Sequence, residues 1–288
     1  MKKKSFLLLV FVSLFLLKGS IGTLLSDSKK PRLYIKIKGN ASFTSGGDFG
    51  NFVDRNDIYF NQLSSDSDDF VISTTKRPFF QGFGGEIGLE VKKHAVGIGF
   101  GYISRNFKID SHYAPDSSDY IENYVREYEF SAIPIFLFIH YKIVDRRFIK
   151  AFLTLGEGVY LTTYRDERTF TFENADRTFA NSSVKSKKNN LGFHVGASID
   201  FNIFRNLALF VDAGYRLASF KKMKADEFYE DDNVQELNEE KDFYYGINRQ
   251  TAQARFTAGE IGGMLWDEEL AKLNLSGFSL SVGVKIIF

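Results

Sequence analysis

The most constraining feature of this sequence is a strict alternation of apolar with small or polar side chains, which returns in eight separate segments. In residues 191–202, for example, Leu, Phe, Val, Ala, Ile and Phe occupy every second position, and Gly, His, Ser, Asp and Asn lie between them. A period of two indicates a β-strand with two unlike faces, because successive side chains point to opposite sides. The eight segments are residues 33–43, 82–91, 95–102, 133–143, 148–164, 191–202, 207–216 and 279–288.

The connections between these segments alternate in length. Short links near residues 92–94, 144–147 and 204–206 are typical of tight hairpin turns. The other four connections are long and polar, and they cover residues 44–79, 108–125, 165–189 and 220–273. Short turns at one end and long loops at the other are the layout of an antiparallel transmembrane β-barrel.

The two faces of the segments decide between a soluble and a membrane barrel. In a soluble barrel of the lipocalin kind, the apolar face points inward. Here the other face is so rich in Gly, Ser and charged residues that it is unsuited to an apolar ligand cavity. An eight-stranded barrel has an interior just wide enough for its own side chains, which suits glycine. We therefore predict that the apolar face contacts lipid, in a closed barrel that satisfies every backbone hydrogen bond.

The N-terminal segment has the layout of a secretory signal. Three lysines precede an apolar run at residues 6–17, and the small residues Ser20 and Gly22 follow it. The run is shorter than the roughly 20 residues of a spanning helix, which disfavours a retained anchor. We predict a cleaved signal peptide at residues 1–22, a short N-terminal segment at 23–30, and one barrel domain at 31–288.

Composition excludes several classes of function. The chain has no cysteine, which rules out disulfides, thiolate metal sites, a cysteine nucleophile and the lipid-modified cysteine of a bacterial lipoprotein. Its formal net charge of +1 gives no basic face for nucleic acid, so we expect no nucleic-acid partner.

The last ten residues, SLSVGVKIIF, combine a terminal phenylalanine with apolar side chains at alternating positions. This pattern resembles the C-terminal signal by which bacterial outer-membrane proteins are recognised for insertion. Residues 31–288 as a whole resemble the small outer-membrane β-barrel family that includes OmpA-, OmpX-, OmpW- and opacity-protein-like members. The resemblance implies a bacterial outer-membrane location, contact with outer-membrane lipid, and recognition by periplasmic chaperones and the barrel-assembly machinery. The assembly-signal residues would be Leu280, Val282, Val284, Ile286 and Phe288.

Charged side chains on the inward face of the strands form the main candidate site. Charges enclosed in a narrow barrel are tolerated when they are paired, so we expect a network of ion pairs in the lumen. Such a network either closes the barrel as a plug or lines a gated path for small solutes, and the narrow bore favours the plug. The predicted lumen charge network consists of Lys36, Lys38, Glu86, Glu90, Asp200, Asp212, Arg216 and Lys285.

Other candidate chemistry is weak. Glycine clusters near residues 82–85 and 97–101 match no phosphate-binding spacing. His140 and His194 are expected to face the lumen at different heights, too far apart to share a metal. The acidic residues of 226–242 lack the spacing of a calcium loop. We therefore expect no catalytic residues, no metal and no cofactor.

These observations predict an all-β fold, an eight-stranded antiparallel transmembrane barrel with short periplasmic turns and long extracellular loops. Ten strands are possible if the last loop pairs with the first. The predicted function is an envelope-structural or surface-interaction role without enzymatic activity, with a possible extracellular ligand at the loops. The alternative is a porin-like pore for small solutes or hydrophobic compounds. An outer-membrane enzyme ranks third.

Overall fold

A computed structural model describes residues 31–66, 70–76, 79–113, 121–173, 179–231, 235–248, 254–258 and 266–288. The predicted signal peptide and the segment 23–30 lie outside these residues. The elements in chain order are β1 (Arg32–Gly47), α1 (Asp48–Asp66), β2 (Phe70–Lys76), β3 (Phe80–Val91), β4 (His94–Tyr113), β5 (Ile121–Asp145), β6 (Ile149–Glu173), β7 (Phe179–Phe204), β8 (Leu207–Leu217), β9 (Ser219–Phe220), β10 (Lys224–Asp231), β11 (Gln235–Asn248), β12 (Ala254–Ala258), β13 (Trp266–Leu270) and β14 (Leu273–Ile287).

Eight of these strands close into a ring. The order around it is β1, β3, β4, β5, β6, β7, β8 and β14, and every neighbouring pair is antiparallel. Because β14 pairs with both β1 and β8, the ring has no free edge, and backbone groups of the wall pair within it. The predicted eight-stranded antiparallel barrel is confirmed.

The three short links of the ring lie at one end, as predicted. They are the turns at residues 92–93, 146–148 and 205–206. Lys92 adopts a positive φ of 43°, which lets the β3–β4 turn close in two residues. We call this end the turn end of the barrel and the opposite end the loop end.

The side chains of the ring divide as the alternation predicts. On the outer face of β14, Val282 is 56% exposed and Phe288 is 65% exposed, whereas the inward Lys285 is 2% exposed. The same holds on other strands, where Ile98 and Val195 are more than half exposed. The outer face of the turn-end half is therefore a mainly apolar belt, interrupted by Glu157 on β6, and it suits contact with hydrocarbon.

The long connections predicted at the loop end are largely ordered structure, which corrects the sequence interpretation. β5, β6 and β7 have 25, 25 and 26 residues, far more than the roughly 9–11 that cross a membrane. β2 pairs with the part of β4 nearest the loop end, and β10 pairs with the corresponding part of β7. These strands extend the wall beyond the apolar belt without entering the ring, so the ten-strand alternative is not realised.

The strands above the belt escaped prediction because their hydrophobic pattern inverts. Odd-numbered side chains of β5 face outward along its whole length, but Ile133 and Ile135 in the belt give way to Glu127 and Glu129 above it. Even-numbered side chains face inward, and above the belt they include Phe130, which is fully buried. The wall thus changes from apolar outside to apolar inside along the same strands.

The helix α1 fills the loop end of the ring. Phe49, Phe52 and Val53 are spaced as one helical face, and all three are fully buried. Phe49 packs edge-on to Phe130, and Phe52 lies 4.3 Å, between ring centroids, from Tyr128. The helix start is fixed by Asp48, whose carboxylate accepts a hydrogen bond of 2.5 Å from the backbone of Lys272. Among the described residues, no helix has both the length and the apolar character needed to cross a membrane.

Candidate functional site: the barrel lumen

Glu90 is the centre of an ion cluster at the turn end of the lumen. Its carboxylate lies 2.8 Å from the Nζ of Lys142, 3.1 Å from that of Lys285 and 3.5 Å from that of Lys150. Arg32, half-exposed at the rim, approaches the same carboxylate to 3.3 Å. Several strands supply these groups, so the cluster ties distant parts of the ring together. Lys285 also pairs with Asp200 at 2.8 Å.

Glu86 forms a second cluster deeper in the lumen, two inward-facing positions from Glu90 along β3. Its carboxylate accepts a hydrogen bond from the Tyr34 hydroxyl and lies 2.7 Å from Nε2 of His140. The other ring nitrogen of His140 is 2.9 Å from the Thr154 hydroxyl. Tyr34, Glu86 and His140 are all buried, so the cluster is enclosed by the wall.

Asp212 holds the remaining pair of predicted lysines. Lys38 Nζ is 3.5 Å and Lys36 Nζ is 3.9 Å from its carboxylate oxygens. Lys36 Nζ also lies 4.9 Å from the centre of the Phe210 ring, a cation–π distance. All eight predicted network residues lie inside the ring. Each of them except Arg216 contacts a group of opposite charge or His140.

Arg216, the eighth predicted residue, stands apart from these clusters. It is 7% exposed, and its Nη2 donates a hydrogen bond of 2.7 Å to the Ser42 hydroxyl. Its Nη1 has no hydrogen-bond partner in the described part of the chain. Arg216 lines a mid-lumen cavity of about 70 Å³, together with Lys38, Asn40, His194, Ser279 and Ser281 on the polar side and Phe136, Phe138 and Tyr160 on the apolar side.

The two histidines that the sequence pointed to both face the lumen. Their rings each contact Phe138, with centroid separations of 5.9 Å for His140 and 5.7 Å for His194. His140 belongs to the Glu86 cluster, whereas His194 lines the cavity. Among the described residues, no group of three or more acidic or histidine side chains is arranged to hold a metal ion.

An aromatic layer lies above the cavity and closes the loop end of the lumen. Phe136 and Tyr160 pack edge-on with centroids 5.2 Å apart, and Tyr160 contacts Phe220 at 6.3 Å. Phe220 in turn contacts Phe130, which lies against the helix. From the turn end to the loop end, the described lumen therefore contains a layer of charged side chains, a small cavity and a layer of aromatic side chains.

A buried ion triad lies still further up, above the apolar belt. Arg126 donates two hydrogen bonds, of 2.9 and 2.6 Å, to the carboxylate of Asp166, and Arg168 donates a third of 2.9 Å. Burial alone would raise the pKa of the acid, but the two guanidinium groups hold the pKa of Asp166 below its ordinary value. The triad links β5 to β6 in the part of the wall that extends beyond the apolar belt.

The sequence analysis did not identify several of these groups, and only some of them have a pattern in the sequence that could have revealed them. Lys142 lies two residues from His140 on the inward face, so alternation alone would have found it. Lys150 precedes the buried Phe152 by two and follows the same rule. The helix was missed although its buried residues have helical spacing, because the surrounding segment is polar. No local pattern marks Arg126 and Asp166, which are 40 residues apart.

The predicted assembly-signal residues lie on the outer face of β14 and at Phe288, which follows it. Leu280, Val282, Val284, Ile286 and Phe288 are all exposed there. The backbone N–H of Phe288 donates a hydrogen bond of 2.8 Å to the carbonyl of Leu33, so the last residue is joined to β1.

A model of the outer membrane protein beta-barrel domain matches residues 26–225 of the chain. No curated protein sequence matches the chain. Similar solved structures include a major outer membrane protein of Thermus thermophilus, with 13% identity, coverage of 90% of this chain and 100% of that chain, and a TM-score of 0.42. Neisserial surface protein A has 11% identity, coverage of 90% and 100%, and a TM-score of 0.31. CarO of Acinetobacter baumannii has 12% identity, coverage of 76% and 96%, and a TM-score of 0.30.

We predict that Glu90→Gln lowers the free energy of unfolding by about 3–5 kcal/mol, because it leaves three buried ammonium groups around a neutral side chain. The measurement is equilibrium urea unfolding of the refolded chain, followed by tryptophan fluorescence or circular dichroism. Glu167→Gln is the matched control, since Glu167 is exposed and pairs only with Arg165 in the described residues, and it should cost no more than about 1 kcal/mol. Equal, small effects of the two substitutions would contradict the central role of Glu90.

Proposed function

The chain belongs to the outer membrane protein beta-barrel domain family, and we propose that it serves the cell envelope as a sealed barrel with a surface-interaction role. It is a bacterial outer-membrane protein. Within this family we infer an envelope-structural or surface-interaction function, without catalysis. We also propose that residues 1–22 are removed as a signal peptide, leaving the segment 23–30 and the barrel domain 31–288.

The observation that carries the proposal is the filling of the lumen. Glu90 and its three lysines occupy the turn end, and the aromatic layer with α1 occupies the loop end. A path for solutes would have to displace both layers, including ion pairs whose members are buried. This supports the plug over the gated path and over the porin-like alternative.

The wall above the belt supports a role at the cell surface. β5, β6 and β7 carry the barrel well beyond the apolar belt, and β10 to β13 widen the sheet there. The outward side chains of this part are polar and charged, including Lys108, Glu127 and Arg165. An extracellular ligand would meet this sheet first, and we propose that the surface-interaction role is carried out there.

The enclosure of the titratable groups supports a non-catalytic role. The His140–Glu86 pair has the composition of a general acid–base pair, but both side chains are buried beneath the cavity. A catalytic group has to come within hydrogen-bond reach of its substrate. At the loop end, His112 lies 2.6 Å from the side-chain amide oxygen of Asn123, a neutral group that does not take up or release a proton.

We predict that the refolded protein shows no channel steps in planar lipid bilayers. Its lumen is closed by two independent layers, so thermal motion of one layer alone does not open a path. Single-channel recording in potassium chloride is the measurement, and a shift of mobility between boiled and unboiled samples in SDS confirms that the inserted protein is folded. Reproducible conductance steps from the folded form would favour the transport alternative.

We further propose that the outward residues of β14 act as the signal read by the barrel-assembly machinery, after periplasmic chaperones deliver the chain. Phe288, the most exposed of the five, is available to such a partner before the ring closes. The lipid of the outer membrane then covers the same residues in the folded protein.

Deleting Phe288 should therefore separate assembly from stability. The deletion removes one exposed side chain and one backbone hydrogen bond, which should cost no more than about 1–3 kcal/mol. We expect the variant to refold in detergent yet to accumulate poorly in the outer membrane of cells. Normal surface levels in cells would remove Phe288 from the signal, and failure in both settings would make it a packing residue.

A further inference from the structure

Arg216 is a buried cation that has no ion-pair partner among the residues the structure describes. Its side chain points from β8 into the middle of the lumen, where it is 7% exposed. In the described part of the chain its guanidinium bonds to the neutral Ser42 hydroxyl, and it forms no ion pair there. Another buried arginine, Arg126, shows the contrast, because its Nε and Nη2 both donate hydrogen bonds to the carboxylate of Asp166.

The acids of the lumen are already engaged elsewhere. Glu90 and Asp200 are held by lysines at the turn end, and Glu86 is held by Tyr34 and His140. Asp212 faces Lys36 and Lys38. Below the aromatic layer, the described lumen thus has more basic than acidic side chains, with Lys36, Lys38, Lys142, Lys150, Arg216 and Lys285 on one side and Glu86, Glu90, Asp200 and Asp212 on the other.

A guanidinium keeps its charge in proteins, and an enclosed charge needs a counter-charge. The cavity beside Arg216 offers the space for one. It measures about 70 Å³, and one water needs roughly 10–15 Å³ of such volume. Lys38, Asn40 and the hydroxyls of Ser279 and Ser281 line the same cavity and offer further donors. Phe136 and Phe138 form the opposite, apolar wall.

We propose that this cavity is a binding site for a small monovalent anion, a halide or a short carboxylate such as formate, held by Arg216 Nη1 as its missing counter-ion. A phosphate ester or a sugar would place several polar groups against Phe136 and Phe138 without hydrogen-bond partners, which favours a small monovalent anion. The anion supplies the counter-charge that Arg216 lacks and so reduces the excess of positive charge in the lumen. The site does not depend on the surface-interaction role, since it lies below the aromatic layer.

The test compares urea unfolding of the refolded full-length mature chain in sodium chloride, sodium bromide and sodium gluconate at equal concentration. Gluconate is a bulky anion whose hydroxyl groups would face the apolar wall of the cavity without hydrogen-bond partners, so we expect it not to bind there. We expect the ratio of folded to unfolded protein to be about tenfold higher in the halides when they are present at about ten times their Kd. Arg216→Gln should abolish the difference. Lys150→Gln, which removes a lumen cation outside the cavity, is the matched control and should keep it.

A second variant and a direct measurement cover the possibility that Arg216→Gln does not fold. Asn40→Asp places a carboxylate in the cavity with almost no change of shape, so it should remove the halide dependence by supplying the anion internally. Crystals of the unaltered protein grown in bromide should show an anomalous peak within hydrogen-bond distance of Arg216 Nη1. Equal stability of the unaltered protein in halide and gluconate, or crystals without that peak, would overturn the proposal.

Discussion

The structure depends on one constraint, the fixed period of two in strands that pass from hydrocarbon into water. The backbone cannot change which side chains face inward, so the sequence must change instead. Along β5 the outward face is apolar at Ile135 and Ile139 and acidic at Glu127 and Glu129. A slip of one residue would turn the inward charges of the belt toward lipid and Phe130 toward water, so the pattern fixes the register from both halves of the strand.

The two-layered lumen follows from the same constraint. In the belt the apolar residues are committed to lipid, so glycine and charge fill the interior, and the charges are stabilised by pairing around Glu90, Glu86 and Asp212. Above the belt the apolar residues are committed to the interior, which has to be filled by packing. The helix α1 supplies Phe49 and Phe52 for this purpose. The cavity at Arg216 lies where the two kinds of filling meet.

Alternation predicted the ring, the lipid-facing side and the eight lumen charges, because each follows from local spacing. The loop-end parts of the strands were missed because the apolar positions change from the outward to the inward face there. Along the sequence this change looks as if the alternation had ended. The segments containing Lys108, Arg165 and Lys185 were therefore predicted as loops. The helix required the recognition that its buried residues share a face within a polar segment. The partners of Glu90 come from several strands, so they depend on register between distant segments, which spacing along the chain does not contain.

The account is tested most directly by spin labels on the outer face of β5 in lipid vesicles. Single cysteines replace Ile135, Ile139, Glu127 and Glu129, which is straightforward in a chain without cysteine. Labels at Ile135 and Ile139 should be relaxed by oxygen far more than by a water-soluble nickel complex. Labels at Glu127 and Glu129, on the same face, should show the opposite preference. Preferential nickel access at Ile135 and Ile139, or shielding from both relaxants at Glu127 and Glu129, would contradict the inversion of the wall.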